Sequence, residues 1–244
     1  MSIVYAGDLH GFTENFHYLD DAAEKYSAAA IVQTGDLAIF WPGESGRVFK
    51  FFEKRARQGK HKTPWYFCDG NHDVHDKLES IWRAQGEKDV VEVAPGLFHV
   101  RRGATVTIDG VKHLFCGGAS STDRGPNNAF NNGKRIWWPD EVPTKLEFEK
   151  FFKALDEEKP DVVVTHDAPL RIPLSRSGRE SDIVVNTFEK CITLSSHMPR
   201  NWVFGHHHIL KEWTIDDTNY TCGGKHGSCF VIEADGTKTL LPAP

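Results

Sequence analysis

Five short apolar runs along the chain each end abruptly in glycine, aspartate, asparagine or histidine. Valine, isoleucine and aromatic residues dominate these runs, which is typical of buried β-strands. Where such a run breaks into small polar residues, the strand ends and the chain turns. The five segments span residues 3–10, 30–36, 65–73, 162–167 and 202–208.

Amphipathic stretches separate these runs and predict helices. In the first, Phe16, Leu19 and Ala23 share one helical face, and acidic side chains occupy the other. The predicted helices span residues 13–27, 46–58, 73–85, 144–158 and 182–195. Residues 98–101, 104–108 and 113–116 predict an antiparallel segment with an Asp109-Gly110 hairpin turn, and residues 220–222 and 229–233 predict two further strands.

Strands that alternate with helices predict an α/β sheet, in which ligands bind beside the carboxyl ends of the strands. Asp8 and His10 follow the first run two residues apart, so an extended chain directs both side chains to one face. The flanking glycines, Gly7 and Gly11, allow a sharp turn there. An isolated Asp-x-His is common by chance, but similar residues follow all five runs. The pattern therefore predicts a metal site at this edge.

Composition limits the class of protein. The chain has 244 residues, 39% hydrophobic and 26% charged, with no internal change of composition, so we expect a single domain spanning residues 1–244. It contains neither an apolar run of membrane-spanning length nor a signal-peptide pattern, and five cysteines form no C-x-x-C pair. We therefore expect a cytoplasmic protein with free thiols and no membrane partner. The net charge of −5 disfavours nucleic acid as a partner.

The polar motifs follow one another in a specific order. Asp-x-His at Asp8, Gly-Asp at Asp36, Gly-Asn-His-Asp at Asn71, a lone His166 and Gly-His-x-His ending at His208 together resemble the calcineurin-like metallophosphoesterase superfamily. The resemblance implies an α/β fold, a four-layer αββα sandwich with two mixed β-sheets flanked by helices and a dinuclear metal site at the strand ends. It also implies hydrolysis of a small phosphomonoester or phosphodiester by a hydroxide activated between two metal ions.

The resemblance assigns roles to individual residues. It implies that His72 lies beside the metals as the acid or stabiliser of the leaving group, and that Asp36 bridges the two ions. The implied ligands are Asp8, His10 and His208 for the first ion, and Asn71, His166 and His206 for the second. Imidazole ligands suit transition ions, whereas oxygen ligands alone would suit Mg or Ca. We therefore expect two divalent transition metal ions, Mn first, with Fe or Zn as alternatives.

Two arginine-bearing loops are candidates for binding the phosphate. The protein-phosphatase branch carries Asp-Arg-Gly after the second motif and an arginine before the third. Here Asp36 is followed by leucine and Gly70 is preceded by Asp69, which disfavours a serine/threonine protein phosphatase. Arg124 and Arg135 lie in a loop that ends in two tryptophans and are the predicted substrate contacts. Residues 171–179 offer further arginines, and in both loops solvated charges are the alternative.

The other function classes that remain are a nuclease of the same superfamily and a non-catalytic binding module on this fold. Neither the length nor the charge favours a nuclease, and the complete signature favours an enzyme over a binding module. His207 lies between two proposed ligands and is interpreted as structural. Asp73 and Asp167 are candidates for orienting His72 and His166, and capping of a helix is the alternative for Asp73.

Overall fold

Two mixed β-sheets lie face to face at the centre of the computed structural model, which describes residues 1–43, 45–59, 62–121, 125, 130–131, 133–175 and 178–243. The strands are β1 (Ser2–Ala6), β2 (Ala28–Gln33), β3 (Trp65–Phe67), β4 (Val90–Ala94), β5 (Leu97–Val100), β6 (Ala104–Ile108), β7 (Val111–Cys116), β8 (Phe130–Asn131), β9 (Lys134–Arg135), β10 (Val162–Thr165), β11 (Asn201–Phe204), β12 (Leu210–Ile215), β13 (Thr218–Gly223), β14 (Cys229–Ile232) and β15 (Lys238–Leu241). The helices are α1 (Thr13–Lys25), α2 (Ser45–Arg57), α3 (His75–Ala84), α4 (Lys145–Lys153) and α5 (Ile183–Leu194).

The strand order shows why the five polar segments meet. The first sheet has the order β15-β14-β1-β2-β3-β5-β4, and the second has the order β12-β13-β11-β10-β7-β6. Neighbours within β1-β2-β3 and within β10-β11 run parallel. Their carboxyl ends therefore lie at one edge of each sheet, where the loops carrying the polar segments begin.

Alternating side chains of the strands divide the interior into layers. On β1, Val4 and Ala6 pack towards α1 and α2, whereas Ile3 and Tyr5 face the second sheet. Between the sheets, Tyr5 belongs to the same buried cluster as Phe115 from β7. A third cluster lies between the second sheet and the helices α4 and α5. The result is the four-layer αββα sandwich with two mixed sheets flanked by helices, so the predicted fold class is confirmed.

Local sequence explains where the later helices begin. Thr144 accepts a hydrogen bond from the Glu147 amide, and Glu147 returns one to the Thr144 amide, which completes a capping box before α4. Asp182 caps α5 by accepting a hydrogen bond of 2.9 Å from the Val184 amide. Helix α4 continues into one π-helical turn at Ala154–Glu158. Among the described residues, no helix is both long and apolar enough to cross a membrane.

The structure corrects some predicted elements. Residues 104–108 and 113–116 do form an antiparallel pair around Asp109 and Gly110, both of which have positive φ. Residues 98–101 do not continue that segment, because β5 joins the other sheet and pairs in parallel with β3. Strands β4, β12 and β15 were not predicted. They border their sheets. The exposed Glu92 interrupts the apolar run of β4, and β12 and β15 have exposed or half-buried positions throughout.

One hydrogen bond crosses from sheet to sheet inside the core. The Nδ1 atom of His113 lies 2.9 Å from the Val111 carbonyl and donates to it, so Nε2 accepts from the Tyr5 hydroxyl at 2.7 Å. Burial lowers the pKa of His113 to about 4. His113 is therefore neutral in the folded protein at neutral pH.

We predict that His113 makes the fold sensitive to acid. Between pH 6.5 and pH 4 the unfolded chain binds a proton at this histidine and the folded chain does not. The free energy of unfolding therefore falls by on the order of 3 kcal/mol. Urea unfolding at a series of pH values measures this. His113→Gln, which retains polar atoms but does not titrate, should lose less stability than wild type in this interval, and parallel curves would contradict the prediction.

Candidate metal centre

Five loops bring the polar segments together at the carboxyl edge of the two sheets. The first sheet supplies the loops after β1, β2 and β3, and the second sheet supplies those after β10 and β11. Backbone hydrogen bonds join them, since the His10 amide donates to the Asp36 carbonyl at 2.8 Å and the Gly205 amide to the His166 carbonyl at 3.0 Å. These bonds join one pair of loops in each sheet.

The first group consists of Asp8, His10 and His208. Their ligand atoms lie within 4.8 Å of one another, as in a group that could hold a metal ion. The Nε2 atoms of His10 and His208 are 3.2 Å apart, and His208 Nε2 is 3.0 Å from Asp8 Oδ2. Asp8 is fully buried, whereas the side chain of His208 is 42% exposed. One side of this group therefore opens to solvent.

The second group consists of Asn71, His166 and His206. His166 Nδ1 donates to the Thr34 carbonyl at 2.7 Å, so the other ring nitrogen, Nε2, faces Asn71 Oδ1 at 3.0 Å. The rings of His166 and His206 have centroids 5.0 Å apart. The Thr34 carbonyl, which the sequence did not reveal, thus fixes the orientation of a proposed ligand.

Asp36 lies between the two groups. Its Oδ2 is 3.9 Å from His10 Nε2, and its Oδ1 is 3.4 Å from His166 Nε2. The Asp36 carboxylate is buried, and its Oδ1 also accepts a hydrogen bond of 2.7 Å from the His72 amide. Each carboxylate oxygen therefore faces a different group.

The charges at this place favour a cation. Burial alone would raise the pKa of Asp36, but the surrounding imidazoles, His166 foremost, hold it well below its usual value. Burial opposes charge on His166, yet the Asp36 carboxylate raises the pKa of that imidazole to about 10. For His10 burial dominates, and its pKa is lowered. Asp36 thus stabilises positive charge beside it, which a proton or a metal ion can supply.

The backbone of the site is unusual for residues other than glycine. His10, Asp36, His206 and His208 all have φ between 47° and 63°, in the left-handed region. Such strain costs about 1–3 kcal/mol per residue and is concentrated at functional sites. Gly70 is also required, because a Cβ atom there would collide with the Asp36 carboxylate.

Asp73 holds the Asp36 loop in place. Its Oδ2 accepts hydrogen bonds from the amides of Asp36 at 3.0 Å and Gly70 at 2.8 Å, and its Oδ1 accepts one from Ala38 at 2.8 Å. Burial and then the charge of Asp36 raise the pKa of Asp73 to about 7. The alternative that Asp73 caps a helix is wrong, because α3 begins after Val74 and has no side-chain cap. Among the described contacts, the Asp73 carboxylate binds backbone amides instead of His72.

Asp167 does not orient His166 either. Its Oδ1 lies 2.8 Å from His207 Nε2, and its Oδ2 lies 4.0 Å from His206 Nε2. The His207 side chain is therefore fixed by a buried carboxylate, in agreement with its interpretation as structural. Chain proximity suggested a pairing of Asp167 with its neighbour His166, but the turn after β10 directs their side chains apart.

His72 lies at the rim of the site. Its ring centroid is 5.3 Å from that of His10 and 4.9 Å from that of Trp41. The preceding loop is anchored by Asp69, whose Oδ2 accepts hydrogen bonds from Arg102 Nε at 2.9 Å and Nη2 at 2.6 Å. Arg102 is remote in sequence, and no local pattern indicated that it would hold this loop.

The predicted arginine contacts have different outcomes. Arg124 lies outside the described residues. Arg135 is 40% exposed and forms an ion pair of 2.9 Å with Asp76, while its guanidinium lies over the Trp138 ring. In the second loop, Arg171 pairs with Glu189. The described arginines are therefore already bound to the protein's own groups.

The side chains fit divalent cations. Asp8 Oδ2 is buried and accepts no hydrogen bond within the described part of the chain, although two imidazole nitrogens lie near it. Carboxylate, amide and imidazole donors form a set that transition ions prefer. A cation at Asp8 would satisfy this atom and separate the opposed nitrogens of His10 and His208.

Comparison with known proteins establishes the class. The family model for calcineurin-like phosphoesterases matches residues 1–210, so the chain belongs to the calcineurin-like phosphoesterase family. It is a hydrolase acting on phosphoric ester bonds, and metal dependence is general in this family. The superfamily resemblance is thereby confirmed. No curated protein sequence matches the chain significantly.

Several solved structures share the fold. A Thermus thermophilus protein, TT1561, has a TM-score of 0.64 at 16% identity, over 99% of this chain and 98% of that chain. GAP50, the anchor in the inner membrane complex of Plasmodium, has a TM-score of 0.59 at 11% identity, over 99% and 84%. A hypothetical protein from Thermus thermophilus has a TM-score of 0.53 at 12% identity, over all of both chains. These likenesses show the fold alone.

We predict that Asp73→Asn weakens metal binding. An amide has only one acceptor oxygen, and its NH₂ group would face a backbone donor, so the Asp36 loop loses its fixed position. Affinity should fall about 10–100-fold, the usual effect of changing a group that supports a ligand. Calorimetric titration of metal-free protein with Mn²⁺ measures this, with Asp21→Asn on the exposed face of α1 as the matched control. Equal affinities in both variants would contradict the role of Asp73.

Proposed function

We propose that the protein hydrolyses a small phosphomonoester or phosphodiester with two divalent transition metal ions. In this proposal the ions are Mn²⁺, with Fe or Zn as alternatives. Asp36 serves both ions and His72 serves the leaving group. The remaining proposed ligands are Asp8, His10 and His208 for one ion, and Asn71, His166 and His206 for the other.

One observation carries the proposal, namely the position of the Asp36 carboxylate. Its two oxygens face His10 and His166, at 3.9 and 3.4 Å, which belong to separate groups. A carboxylate between two sets of donor side chains offers its negative charge to both. This arrangement is what a pair of cations about 3.5–4 Å apart requires.

Bound ions would polarise the phosphoryl oxygens and lower the pKa of a nearby water. The chain's own residues would then orient the ester and move a proton. His72 belongs to the loop that also carries Asn71. Its amide donates to Asp36 at 2.7 Å, which holds the His72 backbone beside the metal groups. From there His72 would donate a proton to the departing oxygen, as a general acid.

Within the family, a small substrate remains the preferred choice. A protein phosphatase needs arginines where this chain has Leu37 and Asp69, and the charge of −5 disfavours a nuclease. A non-catalytic binding module on this fold is the remaining alternative. The side chains of all seven proposed ligands and of His72 lie at one edge of the sheets, which supports an active enzyme.

Arg135 and Arg124 remain proposed substrate contacts. Arg135 could reach a phosphate only by leaving Asp76, which it contacts at 2.9 Å. Its partial exposure leaves space for such a movement, and a guanidinium fork binds phosphate oxygens in pairs.

We further propose one domain and a cytoplasmic location. Ile3 from the beginning of the chain and Phe230 from near its end pack in the same cluster between the sheets, which supports a single domain over residues 1–244. All five cysteines are free and buried, which supports a reducing compartment.

We predict that His72→Ala separates proton transfer from metal binding. A screen of phosphate esters with Mn²⁺ first identifies a substrate. The variant should bind metal as wild type does, but turnover should fall about 10²–10⁴-fold for alkyl esters, the scale of a lost general acid. For nitrophenyl esters the loss should be smaller, because that leaving group needs little protonation. An equal loss for both ester types would contradict the proposed role, and inactivity of metal-loaded wild type on all esters would contradict the function.

A further inference from the structure

Trp41 is a partly exposed aromatic residue beside the proposed acid. Its ring centroid lies 4.9 Å from that of His72, and the two planes are inclined by 63°. On another side, the ring centroid of Trp41 is 5.8 Å from that of Trp138, which is buried. The Trp41 side chain is partly exposed to solvent. An apolar planar surface therefore adjoins His72, the proposed proton donor to the leaving group.

The position of Trp41 is set by the metal loop itself. Leu37 and Ile39 are fully buried in the core, and the Ala38 amide donates to Asp73 at 2.8 Å. The Trp41 amide then donates to the Ala38 carbonyl at 3.1 Å, which closes a turn. Asp36 and Trp41 thus belong to one short segment that is anchored at three points, so the indole has a fixed place relative to the metal groups.

A second set of contacts fixes Trp138, which packs against Trp41. Trp138 donates through Nε1 to Asp76 Oδ2 at 3.0 Å, and the Arg135 guanidinium lies 5.3 Å from the centre of its ring. Asp76 also accepts from Arg135 at 2.9 Å. Trp138 is therefore held as a rigid backing. Such backing preorganises Trp41, and a preorganised aromatic surface binds a flat ring with little loss of entropy.

We propose that Trp41 selects esters whose leaving group carries a planar ring, an aryl group or a nucleobase, which would pack against the indole. This inference rests on the proposed function and names the substrate class of the same site. Base and aryl rings stack on exposed aromatic side chains, whereas a small alkyl alcohol offers little area. Trp41 is thus a specificity-determining residue, and His72 remains the proton donor.

The experiment compares Trp41→Leu with wild type on matched esters. Phenyl phosphate carries its ring on the leaving oxygen, adenosine 5′-monophosphate carries it beyond a ribose, and glycerol phosphate has none. Each is also assayed as its methyl diester. Ratios of kcat/KM between variant and wild type are compared within each substrate, so differences in intrinsic reactivity cancel. Trp41→Phe should restore most of the effect, and Phe40→Leu, the neighbouring partly exposed aromatic residue in the same loop, is the control.

We expect Trp41→Leu to lower kcat/KM for a ring-bearing ester roughly tenfold, mainly through KM, the scale of one lost aromatic stack. Glycerol phosphate should change less than twofold, and metal content should not change. A loss confined to phenyl phosphate assigns an aryl group, and one confined to the nucleotide assigns a nucleobase. An equal loss on all esters, or the same pattern in Phe40→Leu, would overturn the inference.

Binding without turnover provides a separate test. Phenylphosphonate and methylphosphonate are not hydrolysed, and calorimetry on Mn²⁺-loaded protein gives their Kd values. Trp41→Leu should weaken phenylphosphonate about tenfold and leave methylphosphonate unchanged. Equal changes would overturn the inference. If wild type is inactive on every ester, the proposed function is overturned but the inference about Trp41 is not. The phosphonate Kd values then decide whether Trp41 binds a ring.

Discussion

The packing of the two sheets against each other is the constraint on which the site depends. Asp8, Asp36 and Asn71 come from loops of the first sheet, whereas His166 and His206 come from loops of the second. Each ligand group combines side chains from both sheets, so neither sheet carries a complete group. The first group, for example, needs His208 from the second sheet. The interior cluster that joins the sheets, including Tyr5 and Phe115, therefore fixes the distances between ligands as well as stabilising the fold.

Within that frame, buried polar contacts set the orientation of the ligands. The Thr34 carbonyl selects which nitrogen of His166 faces Asn71, and Asp73 holds three backbone amides around Asp36. Left-handed backbone at four proposed ligands stores strain that these contacts must offset. A rigid arrangement of acceptor atoms results, which reduces the reorganisation required when cations bind.

The sequence predicted the ligand loops because their signal is local. An apolar run that ends in Asp8, Asp36 or His166 marks a central strand and its carboxyl end, and parallel strands place such ends at one edge. The chain order of the motifs then distinguished this family from other metal sites. For the same reason the helices were predicted within a few residues, and edge strands such as β12, with their exposed side chains, were missed.

The supporting contacts could not be predicted, since they join residues that are distant in sequence. Arg102 reaches Asp69 across 33 positions, and nothing near either residue indicates the pair. The sequence predicted a helix that begins at Asp73, but its carboxylate turns back to the Asp36 loop. Trp41 lacked a recognisable motif, and only the folded loop places its indole beside His72. Local patterns indicate which elements form, whereas side-chain partners follow from tertiary packing.

The most direct test of this account is anomalous X-ray diffraction from crystals grown with Mn²⁺. We predict two peaks about 3.5–4 Å apart, with the Asp36 carboxylate between them. One peak should contact Asp8 and the other His166, and Asp36→Asn should lower the occupancy of both. A single peak, or two peaks of which one does not contact Asp36, would contradict the proposed dinuclear centre.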